Sequence, residues 1–183
     1  DVGRYDVPIL VDPEAPEEAP EALLLESTYG DRGHESADPV EELAAVIDRA
    51  FARGGFVLVP AFALGRTQDV LYHLSTLVDS GRLDPDRVFL DSPMAIRATE
   101  IYRQATPEFD EEMRERVANG DNPLAIDRFR RARSVDESKS LNERSEPAVV
   151  VAASGMATGG RIVHHLARRL PDPRTAVVFV GYQ

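Results

Sequence analysis

Val149-Val-Val-Ala-Ala-Ser-Gly-Met-Ala-Thr-Gly-Gly-Arg161 is the stretch that decides the fold. An unbroken apolar run ends on Ser154-Gly155, and Gly159-Gly160 then opens a helical pattern over 159–170. This reads as a buried strand, a tight loop and a helix. The same succession recurs along the chain. Strands are expected over 22–25, 56–60, 87–90, 148–153 and 176–180, and most are continuous apolar runs rather than alternating ones. That pattern suits parallel strands covered on both faces. Helices are expected over 39–52, 65–80, 93–105, 107–119 and 159–170, the first with Asp38 as its N-cap. The fold class is therefore α/β: a mostly parallel, Rossmann-like sheet with helices on both faces. Residues 1–21, with Pro8, Pro13, Pro16 and Pro20, read as an extended crossing segment. Residues 119–147 read as a charged excursion from the core that carries the basic run Arg128-Phe-Arg-Arg-Ala-Arg133.

Composition narrows the function classes. The chain has 183 residues, no cysteine and 43% hydrophobic residues. That is enough for one domain with a real core, and it excludes disulfides and thiolate metal sites. No apolar run reaches membrane-spanning length and no signal peptide is visible, so a cytoplasmic protein is expected. There are 32 acidic residues against 21 Lys+Arg, for a net charge of −11. Such a chain repels nucleic acid at long range, so any anion site must be a local cluster. The start at Asp1 and the stop at Gln183, just after an apolar run, read as an excised segment of a longer protein.

Four segments place polar groups where a strand gives way to a loop, the place where open α/β sheets bind ligands. In Leu23-Leu-Leu-Glu-Ser-Thr-Tyr-Gly-Asp-Arg32, Glu26 is either a turn-capping acid or a working carboxylate, and Tyr29 and His34 are candidates to line a site. In Ser154–Gly160, the glycines let the backbone approach a ligand. The helix start offers N–H groups and the positive end of its dipole, and Ser154 and Thr158 add hydroxyls. An anion site and a plain strand–helix turn both fit. In Pro60-Ala-Phe-Ala-Leu-Gly-Arg-Thr-Gln68, Arg66 lies at a helix start, where the dipole does not favour a cation, so pairing with an acid or a phosphate is expected. In Phe89-Leu-Asp-Ser-Pro-Met94, Asp91 and Ser92 read first as N-caps before Pro93 and second as site-lining groups. His164 and His165 are adjacent on a helix, their side chains about 100° apart, so they do not chelate together. One is expected to face the sheet or a partner and the other solvent. His73 reads as structural.

The order Asp1-Val-Gly-Arg, Glu26-Ser-Thr-Tyr-Gly-Asp-Arg, Pro60-Ala-Phe-Ala-Leu-Gly-Arg-Thr-Gln, Asp91-Ser-Pro-Met-Ala, Ser140-Leu-Asn, Ser154-Gly-Met-Ala-Thr-Gly-Gly and Val180-Gly-Tyr-Gln resembles one family. It is the β-CASP branch of the metallo-β-lactamase-fold nucleases, which process RNA. The prokaryotic RNA exonuclease or RNA-specificity subgroup is nearest. The resemblance implies a division into residues 1–35, the tail of a metallo-β-lactamase domain with the crossing segment, and 36–183, the β-CASP domain. It implies two zinc ions in the full-length protein, bridged by a carboxylate matching Asp1, with the other ligands outside this chain. It implies that Glu26 hydrogen-bonds a histidine, also outside the chain, that protonates the leaving oxygen. Arg66, Ser154, Gly155, Met156, Thr158, Gly159 and Gly160 would line the RNA side of a cleft, with the run 128–133 a weaker candidate whose first reading is a solvated helix face. Single-stranded RNA and the remaining metallo-β-lactamase domain are the implied partners, no membrane is involved, and a homodimer stays open. The chain alone is expected to bind no zinc and to be inactive. A stand-alone nucleotide- or phosphate-binding module and an inactive scaffold homologue are the competing readings.

Overall fold

The computed structural model describes residues 4–28, 30, 31, 33 and 37–181. Helix α1 (Pro39–Ala52) starts as its sequence dictates. The Asp38 carboxylate accepts from Val40 N–H at 2.8 Å, and Pro39 occupies a first-turn position where no N–H is needed. Then come β1 (Val57–Pro60), α2 (Arg66–Asp79), β2 (Val88–Asp91), α3 (Pro93–Tyr102), α4 (Glu111–Ala118), β3 (Arg130–Arg131), α5 (Val135–Glu143), β4 (Val149–Ala152), α6 (Arg161–Arg169) and β5 (Ala176–Val177). The five strands form one parallel sheet in the order β3-β2-β4-β1-β5.

The sheet is covered on both faces, as the continuous apolar strands require. One face carries Val57, Val59, Val88, Leu90, Val149 and Val151 and packs on α1 to α4 through Leu43, Ile47, Leu71, Leu74, Ile96 and Met113. The other carries Leu58, Phe89, Val150 and Ala152 and packs on Leu141 of α5 and Ile162 of α6. Each large side chain buried this way contributes about 1.5–3 kcal/mol. β2 and β4 are neighbours, yet the chain leaving β2 runs to the first face and the chain leaving β4 to the second. Their carboxyl ends flank the crevice where an open α/β sheet reverses direction and binds ligands. No helix among the described residues is long and apolar enough to cross a membrane.

Two expectations need correction. Residues 22–25 form no strand: Leu23, Leu24 and Leu25 are exposed and pair with nothing in the sheet. An apolar run becomes a strand only where a neighbour supplies hydrogen-bonding partners, and no described strand lies beside this one. The crossing segment before it does dock, since Ile9 is buried and Leu10 bridges to Phe109. Residues 119–147 are not an excursion; they supply the edge strand β3 and helix α5. Helix α5 is fixed by a capping box in which Ser134 and Glu137 satisfy each other's backbone N–H groups.

The basic run is therefore not a helix face. It passes from a short 3-10 turn, Ile126–Arg128, into β3, and its arginines meet local acids. Arg130 pairs with Asp86 at 3.0 Å, Arg131 with Asp127 at 2.7 Å and Arg133 with Glu100 at 3.5 Å. Arg128 and Arg116 both bridge Asp79 and Asp121, closing a four-membered ring of alternating charge that ties the loop before β3 to the end of α2. Their charge is matched locally, which argues against an open basic track here.

Candidate nucleic-acid interface

The loop after β4 rises from the carboxyl edge of the sheet and closes on itself. Ser154 N–H donates to Gly159 carbonyl at 3.2 Å, and Ala157 N–H donates to Ser154 carbonyl at 3.2 Å. Gly160 has φ +74°, and a Cβ there would lie 2.3 Å from the Ala153 carbonyl oxygen, a backbone atom that cannot yield. Gly155 is buried against the ring of Phe62, where an added Cβ would come within 2.6 Å. Both glycines are thus required by close approach, and Gly160 by its conformation as well. Met156 and Thr158 form the exposed tip, and Ser154 is half-buried. The helix start is less open than its sequence suggests, because Ile162 N–H already donates to Ala153 carbonyl at 3.1 Å. Gly160→Ala should destabilise the chain by about 2 kcal/mol or more, combining positive-φ strain with a steric clash. A denaturation midpoint equal to that of the parent chain would refute this account of the loop.

Asp91 sits beside this loop, and its surroundings differ from both sequence readings. Ser92, not Asp91, caps α3, accepting from Ala95 N–H at 3.1 Å. Asp91 is wholly buried at the end of β2. It accepts from Arg161 Nη1 at 2.6 Å, from Ser138 Oγ at 2.5 Å and lies 2.6 Å from His165 Nε2. The other ring nitrogen of His165 lies 2.9 Å from Asn142 Oδ1. His164 is exposed, so the histidine pair divides as its spacing implied. Burial pushes the Asp91 carboxyl up, but the bonds from His165, Ser138 and Arg161 together outweigh it and hold the group below its ordinary value. A carboxyl whose folded pKa is depressed lends stability above its unfolded value, about 3.9, and loses it as pH falls through the folded value. The stability of the chain should therefore drop below about pH 4 more steeply than that of Asp91→Asn, as followed by denaturant titration at each pH. Parallel pH curves would contradict this.

Arg66, on the first turn of α2, pairs with Asp69 at 3.1 Å and remains 46% exposed. Burial raises the Asp69 carboxyl even with Arg66 beside it. The acid partner is the one present, and the exposed guanidinium edge leaves room for a phosphate. The loop between β1 and α2 is held by the helix it precedes, through Thr67 Oγ1 to Phe62 carbonyl at 2.7 Å and Gln68 Nε2 to Ala63 carbonyl at 3.2 Å.

Glu26 is exposed and accepts from Thr28 N–H at 3.0 Å, so in this chain it closes its own turn. Asp1, Tyr29 and His34 lie outside the described residues. Among the described residues no group of three or more histidine or carboxylate side chains is arranged to hold a metal ion. His73 is half-buried on α2, where burial pushes its imidazole down.

The Beta-Casp domain family matches residues 67–183, well over half of the chain, including the Ser154–Gly160 loop and the Asp91 cluster. The chain belongs to this family. Among curated relatives, ribonuclease TTHA0252 of Thermus thermophilus is 41% identical across the whole of this chain and 42% of its own length. The transcription termination factor FttA of Methanocaldococcus jannaschii is 39% identical over 89% of this chain and 26% of its own. The same factor of Pyrococcus abyssi is 37% identical over the same shares. The Beta-Casp chain thus spans less than half the length of these relatives. The family match and these relatives agree with the β-CASP resemblance carried by the motif order.

Sequence reading of this Beta-Casp chain missed the buried cluster of Asp91, Ser138, Asn142, Arg161 and His165. Asp91, Arg161 and His165 were each quoted and Asn142 stood in the Ser140-Leu-Asn motif, whereas Ser138 was not singled out. The signal available was a carboxylate on the last residue of an otherwise apolar, doubly covered strand, which must find partners or lose its charge. Phe62, half-exposed against Gly155, was also missed as a neighbour of the loop.

Proposed function

We propose that this chain is the β-CASP cap of a longer metal-dependent ribonuclease, forming the RNA side of the cleft in which phosphodiesters are hydrolysed. The observation that carries the reading is the Ser154–Gly160 loop at the sheet's reversal point in a chain of this family. Backbone N–H groups and the hydroxyls of Ser154 and Thr158, with Arg66 on the first turn of α2, the helix that follows the neighbouring strand β1, suit a narrow phosphate track. Such a track is compatible with a net charge of −11, because it relies on few cations. Single-stranded RNA is the ligand whose splayed phosphates such a loop can reach. The described residues do not by themselves fit a metal centre. The division at residue 35, Asp1 as a carboxylate that would help hold zinc in the full-length protein, and the metallo-β-lactamase domain as partner belong to the same proposal. Within it, Glu26 orients and charges a histidine that donates a proton to the leaving oxygen.

A cleavage and binding assay tests the reading. The 183-residue chain should bind a short single-stranded RNA weakly and lose that binding with salt, and it should not cleave. The full-length parent should cleave in a chelator-sensitive way. Chelator-sensitive cleavage by the chain alone would overturn the cap assignment, and tight binding of a mononucleotide without RNA binding would favour a stand-alone nucleotide module.

A further inference from the structure

We propose that Arg161 and Asp91 are positioning residues that clamp the Ser154–Gly160 loop in its RNA-contacting geometry, an inference that rests on the function proposed above. Arg161 is the first residue of α6 and follows the loop directly. Its Nη1 donates to Asp91 Oδ1 at 2.6 Å and to Ala132 carbonyl at 2.9 Å, and its Nη2 donates to Arg133 carbonyl at 3.0 Å. One side chain thus ties the helix start to the end of β2 and to the chain leaving β3. The incoming leg of the loop is fixed separately, by Ile162 N–H on Ala153 carbonyl and by Gly160 packed over Ala153. With both legs anchored at the carboxyl edge, the exposed tip at Met156 and Thr158 is held out towards a ligand.

The arrangement separates positioning from phosphate contact. The guanidinium of Arg161 is matched by a fully buried carboxylate and three acceptors in all, and its side chain is only one-fifth exposed. Its charge is committed inward. Asp91 is itself fixed by Ser138 and His165, and His165 by Asn142, so α5 and α6 together set where the Arg161 fork points. A planar fork that reaches three acceptors at once is something arginine supplies and lysine does not.

The test compares Arg161→Ala, Arg161→Lys and Asp91→Asn in the 183-residue chain, by amide hydrogen exchange and by binding of a fluorescent single-stranded RNA across a salt series. A clamp predicts that both Arg161 variants speed exchange in 154–160 at least tenfold while β1 and β4 keep their protection. It also predicts that RNA binding weakens about five- to tenfold with an unchanged salt slope, because no phosphate-bound cation is lost. Asp91→Asn keeps the shape and should show an intermediate effect. A slope reduced by about 0.7 in Arg161→Ala, restored by lysine, would make Arg161 a phosphate contact and overturn the clamp. Exchange that is unchanged in the loop, or accelerated throughout, would overturn it as well. If the unaltered chain binds no RNA, the proposed function falls, and the exchange data still decide the clamp.

Discussion

Replacing Asp91 with alanine should lower the unfolding free energy of this chain by about 3–5 kcal/mol, the range for breaking one side of a buried charge pair. The carboxylate is fully buried and serves three partners on two helices. Its removal strands the Arg161 guanidinium and leaves Ser138 and His165 facing a void. Asp91→Asn keeps volume and one acceptor, so it should lose less. The exposed Asp172–Arg174 pair makes the contrast. Hydrogen bonds from Arg174 pull the Asp172 carboxyl down to about 2, yet both groups face solvent, and Asp172→Ala should leave stability unchanged within error. Urea denaturation of the three variants measures the difference. A loss below 1 kcal/mol for Asp91→Ala would mean that the cluster relaxes or hydrates on losing its acid.

Glu26→Gln in the full-length parent should slow cleavage by about 10²–10⁴-fold, the usual contribution of a proton-transfer group, with little change in RNA affinity. Glutamine retains an oxygen that can accept from Thr28 N–H, so the turn it closes persists and only the charge is lost. The proposed role depends on that charge, because a carboxylate stabilises a protonated imidazole and an amide does not. Single-turnover rates with saturating RNA isolate the step. A rate within threefold of the parent would remove Glu26 from the mechanism, and a loss confined to affinity would make it a binding residue instead.

Much of the fold was legible because it is written locally. The apolar runs around 57–60, 88–91 and 149–152 need cover on both sides wherever they lie, and the Asp38-Pro39 start of α1 follows from backbone chemistry alone. Strand β3 was not legible, because two arginines carry no strand period and pair only because β2 lies beside them. Residues 22–25 failed for the converse reason, having the right composition and no neighbour.

The sequence by itself determined a parallel sheet covered on both faces and a glycine-rich loop between its fourth strand and last helix. It also fixed the family, since the order of its motifs is a property of the chain and not of its packing. Tertiary structure alone decided which charges are spoken for. The partners of Asp91 lie 47, 70 and 74 residues away, and beside the nearby Asp121 and Asp127 the basic run is matched by Asp79 of α2, Asp86 before β2 and Glu100 of α3. A side chain's charge acts through distance in space, and only folding brings these groups within a hydrogen bond of each other.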